Sequence, residues 1–283
     1  MLPVNRRTAL STLAGALVIR GAANAATQPR PGCQANGWDL DPNRFDLLLT
    51  AVREMKELGF QGFETNIRFV QPQLDRAAEA RSALDAIGLE FIGAHTNLGD
   101  GEGVAKAASQ ARQFGAKALV LSGAALSPSG EFSADSLKKK ANLMNSAGRA
   151  CLGAGLTMAY HNHQPEFKNH AAEWTGLVEN TDPRFVSFML DIGHAWLAEP
   201  DAVSLFEKHH ARVFGLHVRD FHDRVSVPLG QGEFPLRALA GVVRKTNWHG
   251  WLIDEEERPD LPHKPGKAAT GPSRKTIREI FGV

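Results

Sequence analysis

Cysteine is nearly absent from this chain. Cys33 and Cys151 are the only two among 283 residues, too few for a multi-disulfide framework and not at zinc-ribbon spacing. A surplus of either charge is lacking too: Lys and Arg number 32 against 31 acids, so no electrostatic footprint for nucleic acid shows. No Gly-x-Gly-x-x-Gly follows the first apolar run, and no Walker-type Gly-Lys-Ser/Thr occurs. Both absences speak against a nucleotide-binding open sheet. The composition that remains, 43% hydrophobic and 22% charged, is ordinary globular usage and excludes disorder and fibrous repeats.

The N-terminal segment stands apart. Asn5-Arg6-Arg7 precedes an apolar stretch from Ala9 to Ile19, and Ala23-Asn24-Ala25 supplies the small residues of a cleavage site. The stretch falls short of a membrane span, so residues 1–26 read as an export signal of the twin-arginine type. This predicts a periplasmic or otherwise exported protein without stable membrane insertion. Removing the segment takes away Arg6, Arg7 and Arg20 and no acid, leaving a slightly acidic chain ill suited to DNA.

Residues 27–283 alternate two patterns. Short apolar runs lie at 59–65, 89–95, 116–122, 156–161, 186–191, 213–218 and 250–255, with 32–36 as a weaker first member. Between them, apolar residues recur at helical spacing, as in 43–58, where Phe45, Leu48, Leu49, Val52 and Met55 share a face. Comparable stretches lie at 74–87, 104–114, 133–154, 171–178, 202–210, 236–246 and 273–281. Strands that each precede a helix, in about 250 residues, predict an α/β fold of parallel units: a single-domain (β/α)8 TIM barrel, with an open sheet as runner-up.

A barrel places function at the C-terminal ends of its strands. The apolar runs end in Glu64, His95, His161 with His163, Asp191 with His194, His217 with Asp220, and Glu255. Burying so many ionisable groups is costly unless something offsets them, and a divalent cation is the simplest candidate. Asp191, His217 and Glu255 are the strongest ligands. Mixed oxygen and nitrogen donors suit manganese, zinc, cobalt or iron, and no thiolate is placed to favour a softer ion. Trp38 is positioned to stack on a sugar ring, and Asp220 to pair with its neighbour Arg219. Lys138-Lys139-Lys140 reads as a solvated helix face, and His209, His210 and His222 as surface residues.

The segments LTMAYHNHQPEF (156–167), FMLDIGH (188–194), LHVRDF (216–221), PLGQGE (228–233) and GWLIDE (250–255) together resemble the xylose isomerase-like TIM barrels. The likeness is strongest to the sugar phosphate isomerase/epimerase branch with Tyr-His-Asn-His-x-x-Glu-Phe on strand five. It implies a metal site of Asp191, His217 and Glu255, with His161 where the epimerases carry a fourth, glutamate ligand that also acts as base. It further implies Glu255, His161 and His163 as catalytic groups. Glu64, His95, His194, Arg219, Trp38 and Glu166 are implied or positioned as substrate contacts, Glu166 if its loop folds over the mouth.

The activity implied is that of a divalent-metal-dependent isomerase or epimerase, with manganese ahead of zinc, cobalt or iron, acting on a sugar or keto-sugar through an enediolate; the export signal adds that the sugar is unphosphorylated. Alternatives are a lyase that expels a β-oxygen from a 3-keto-glycoside or inosose-like ketone, and a non-catalytic exported sugar-binding protein. Related nucleases of the endonuclease IV type carry a further Asp and His where this chain has Arg224 and Ser226, so a trinuclear zinc nuclease is disfavoured.

Overall fold

The computed structural model describes residues 28–258 and 266–283, so the export segment expected at 1–26 lies outside the described residues. Eight parallel strands close into a barrel: β1 (Arg30–Gln34), β2 (Gly62–Asn66), β3 (Glu90–Asn97), β4 (Ala118–Ser122), β5 (Thr157–His161), β6 (Val186–Asp191), β7 (Val213–Val218) and β10 (Trp251–Asp254). The circuit closes where β1 pairs with β10 on one side and β2 on the other.

The longest outer helices are α1 (Phe45–Leu58), α3 (Gly101–Gln113), α4 (Ala134–Gly153), α5 (Lys168–Asn180) and α9 (Lys267–Phe281), with shorter α2 (Ala77–Asp85), α6 (Ile192–Ala198), α7 (Ala202–His209) and α8 (Leu236–Lys245). The expected face of α1 is the buried one, through Leu48, Ala51, Val52 and Met55. Gly59 ends it with φ +88, a left-handed turn that glycine takes without a Cβ clash. Ser133 caps α4 by accepting from Ser136 N at 3.1 Å.

Side chains alternate in and out along the strands, apart from register shifts at Ile92 in β3 and Phe214 in β7. The inward layer is a plug of Ile92, Val120, Ala159, Met189, Trp251 and Ile253, all buried. It closes because Gly62 and Gly215 leave room: a Cβ on Gly62 would lie 2.6 Å from Ile92, and one on Gly215 2.8 Å from the Met189 sulfur. Two residues beyond Gly62, Ala159, Met189, Gly215 and Ile253, toward the C-terminal ends of their strands, the same inward positions hold Glu64, His161, Asp191, His217 and Glu255. Strand periodicity alone sets the polar site on top of the apolar plug.

Three elements depart from the periodicity-based expectation. The loop after β7 folds into an antiparallel hairpin of β8 (Asp220–His222) and β9 (Val225–Val227). Its turn residues Asp223 and Arg224 sit at φ +48 and +66, without the Asn-Gly or Asp-Gly pair that would have marked a turn. The short helix α6 begins directly at Asp191, its cap. Helix α9 starts six residues before 273 and carries Pro272 inside it.

Candidate metal and substrate site

Register delivers the central groups. β6 pairs with β7 so that Asp191 stands opposite His217. His161 ends β5, and Glu255 follows the last residue of β10. One donor atom from each of His161, Asp191, His217 and Glu255 lies within 4.8 Å of the others, and all four residues are buried. The sequence thus names four residues, on strands far apart along the chain, that the fold brings together.

Each member is held from outside the cluster. Asp191 Oδ1 caps α6 by accepting from His194 N at 2.8 Å, leaving Oδ2 inward, 3.3 Å from Arg219 Nη1. Asn162, immediately after β5, locks β5 to β6: its side chain donates to Asp191 O and accepts from Asp191 N, at 3.0 and 3.1 Å. No reading of the sequence singled out Asn162; its place inside the Tyr-His-Asn-His segment was the available signal. His217 lies between two carboxylates, with Nδ1 3.0 Å from Glu255 Oε2 and Nε2 2.8 Å from Glu64 Oε2.

The surrounding charges set the protonation states. Burial alone would strip the proton from His217, but the Glu255 and Glu64 carboxylates outweigh it and hold the imidazole well above its ordinary pKa. Burial likewise opposes ionisation of Glu255, yet His217 and then Arg219 push its carboxyl well below the usual range. His161 moves the other way: burial, reinforced by nearby His217, holds it neutral. A neutral imidazole is the form that binds metal. Its Nδ1 is buried without a hydrogen-bond partner, an uncompensated polar atom in the midst of ligand-type groups. Mixed N/O donors, an excess of carboxylate and this orphaned nitrogen fit a divalent cation, which the cluster could hold.

The other expected site residues lie around this cluster or apart from it. Arg219 is buried beside the cluster, where it donates to His194 Nε2 at 2.8 Å and pairs with Glu257 at 3.1 Å. Burial works against its charge, but Asp191 and Glu255 keep it ionised. His95 joins through Glu64, at 2.9 Å, and His163 stands exposed at the mouth with its ring 5.1 Å from His161. Of the acidic run after β10, Glu255 and Glu257 face the site while Glu256 turns to Arg258, at 2.8 Å. Trp38 is buried and donates its indole N–H to Glu54 at 2.7 Å, outside the hydrogen-bond network of the cluster.

Three expectations are corrected. Glu166 does not reach over the mouth. It is fully buried, accepting from Tyr160 Oη at 2.5 Å, Lys140 Nζ at 3.0 Å and His163 N at 2.6 Å. Lys140 is not a solvated charge: it sits between Glu166 and Glu173, 2.6 Å from the latter, while Lys138 and Lys139 lie nearer the surface. Helical spacing turns the third lysine of the run inward, onto acids contributed by the β5–α5 segment. Asp220, expected to pair with Arg219, instead accepts from four backbone N–H groups, those of Phe221, Gly230, Gly232 and Phe234, at 2.9–3.0 Å.

The chain belongs to the xylose isomerase-like TIM barrel family, whose model matches residues 52–280. Among curated proteins it is similar to the inosose dehydratase of Salmonella agona, 26% identical over 157 residues, covering 49% of this chain and 52% of the relative. The inosose dehydratase of Clostridium tetani is 24% identical over 172 residues, covering 54% and 57%. The chain thus spans about half the length of the curated relatives it matches. Solved structures share the fold. An L-ribulose 3-epimerase superposes with TM-score 0.74 at 15% identity, covering 90% of this chain and 95% of that one. The probable 3-DHS dehydratase AsbF of Bacillus anthracis gives 0.72 at 15%, covering 88% and 98%. The 3-keto-D-glucoside 4-epimerase YcjR of E. coli gives 0.67 at 17%, covering 90% and 100%.

Proposed function

We propose that this protein is a divalent-metal-dependent enzyme, with manganese the foremost candidate, that isomerises or epimerises an unphosphorylated sugar or keto-sugar. The observation that carries the reading is the convergence of His161, Asp191, His217 and Glu255 on one buried point above the plug. Those four would hold the cation. Once bound there, a divalent ion supplies Lewis-acid polarisation of a carbonyl and its neighbouring hydroxyl.

The chain's own groups do the rest. Proton removal from the carbon beside the carbonyl falls to Glu255, whose carboxylate is kept ionised by His217 and Arg219. Exposed His163, its ring 5.1 Å from that of the ligand-type His161, is the imidazole placed at the end of β5 to return a proton. Arg219, fixed by Asp191, His194 and Glu257, offers N–H groups to substrate hydroxyl or carboxylate oxygens. Residues 1–26, read as an export signal, point to a periplasmic site of action and so to an unphosphorylated substrate.

A second reading is a dehydratase acting on an inosose-like ketone or a 3-keto-glycoside. It is favoured by the two curated relatives above, both inosose dehydratases, and by the exposed His163 imidazole just beyond β5, placed to protonate a departing hydroxyl. Both readings share the first proton abstraction. Incubation with Mn2+ and a panel of keto-sugars and cyclitol ketones in deuterated water tests them. Solvent deuterium at the carbon beside the carbonyl supports the enzyme, and loss of water from the product selects the dehydratase. Ligand bound with no exchange across the panel contradicts both and favours a sugar-binding protein.

A further inference from the structure

Glu64 is fully buried on β2, and its position above Gly93 is a tight one. A Cβ on Gly93 would lie 2.9 Å from Glu64 Oε1. That oxygen has no hydrogen-bond partner among the described residues, whereas Oε2 meets two imidazoles, His217 Nε2 at 2.8 Å and His95 Nε2 at 2.9 Å. An ionised carboxylate only accepts, so each of these Nε2 atoms must carry its proton. Nδ1 of His217 faces Glu255 in the same way, 3.0 Å from Oε2, so both nitrogens carry protons in the metal-free protein. Of the two, Nδ1 is the one beside a residue of the ligand cluster, where an arriving cation would replace the proton, while Nε2 stays on Glu64. The two rings are stacked with centroids 5.6 Å apart, so they share one oxygen and compete for it.

We propose that Glu64 is a positioning residue rather than a substrate contact: it fixes the His217 tautomer so that Nδ1 is presented to the cation, and holds His95 in the same tautomer at the mouth. The inference rests on the metal reading above. Ligating histidines generally donate their second N–H to a carboxylate, and losing that partner weakens metal binding by about 10- to 100-fold. His95, as a competitor for the same oxygen, has the opposite sign. Its removal leaves Glu64 wholly to His217.

The test uses 113Cd2+ as a diamagnetic probe on the full chain. One-bond coupling between cadmium and 15N-labelled imidazoles identifies which nitrogen of His217 is bound. Coupling to Nδ1, with Nε2 still protonated, is expected. Coupling through Nε2 overturns the inference while leaving the metal reading intact; no cadmium bound at the cluster removes both. Titration of Glu64→Gln with Mn2+ is expected to show an affinity loss of about 10-fold or more, with the metal-free melting temperature near that of the parent. His95→Leu is expected to bind Mn2+ at least as tightly as the parent. Equal affinity in Glu64→Gln and parent, or a loss in His95→Leu matching that in Glu64→Gln, contradicts the positioning role.

Discussion

Lys140 shows how much a single buried charge can organise. Its ammonium joins Glu166, Glu173 and the Ala124 carbonyl, and Glu166 in turn accepts from Tyr160 and from the backbone of His163. The network therefore reaches from α4 to the histidine at the mouth. Replacement by methionine, Lys140→Met, strands two buried carboxylates and is expected to cost about 3–5 kcal/mol in urea unfolding at pH 8. The cost shrinks toward pH 5, because burial already raises the Glu173 carboxyl and its protonation then relieves the pair. Tyr160, the one tyrosine in the chain, reports on the same network. Burial and then Glu166 raise its phenol well above the ordinary value. The unfolded phenol ionises near pH 10 while the folded one does not, so the native state loses stability as pH climbs beyond about 10. Absorbance at 295 nm should stay flat until unfolding; a gradual rise in the folded protein would contradict this placement.

At the scale of elements, the strands were the most legible feature of the sequence. Apolar runs closing in an acid or histidine mark a barrel strand because the same period-2 alternation that buries Met189 and Ile253 presents Asp191 and Glu255 two residues later. Legibility failed where tertiary contacts decide. Glu166 and Lys140 each look like solvent-facing or mouth-facing charges until α4 is packed beside the β5–α5 segment. The β8–β9 hairpin hides behind a turn whose left-handed residues are Asp223 and Arg224. Asp220 could not be assigned from its neighbour in sequence, since its partners are backbone groups up to 14 residues away. The plug itself yields a prediction at this scale. Gly62→Val would drive a side chain into Ile92 and Trp251, whose nearest atoms lie 2.6 and 2.8 Å from where its Cβ would stand, and should cost about 1–3 kcal/mol by denaturant unfolding. No loss would mean that the barrel interior is looser than its contacts indicate.

For the whole molecule, the barrel acts as a frame that brings carboxylates and imidazoles from six strands to one rim while the apolar plug seals the layer beneath. A cation seated there stabilises the folded chain by mass action, by about 2.7 kcal/mol at a hundred times its dissociation constant. Melting temperature should therefore rise by several degrees with Mn2+, fall back with a chelator, and lose its metal dependence in Asp191→Asn. Away from the barrel mouth, the described residues hold one further group of ligand type, the exposed trio His222, Asp223 and Glu233 on and beside the hairpin. It is the alternative to the central site outside the barrel mouth, as Glu64, His95 and His217 are within it. Anomalous diffraction at the manganese absorption edge, from crystals grown with Mn2+, separates these sites most directly. One dominant peak within bonding reach of His161, Asp191, His217 and Glu255 is expected; a dominant peak at the hairpin or between Glu64, His95 and His217, or none at the barrel mouth, would contradict this site.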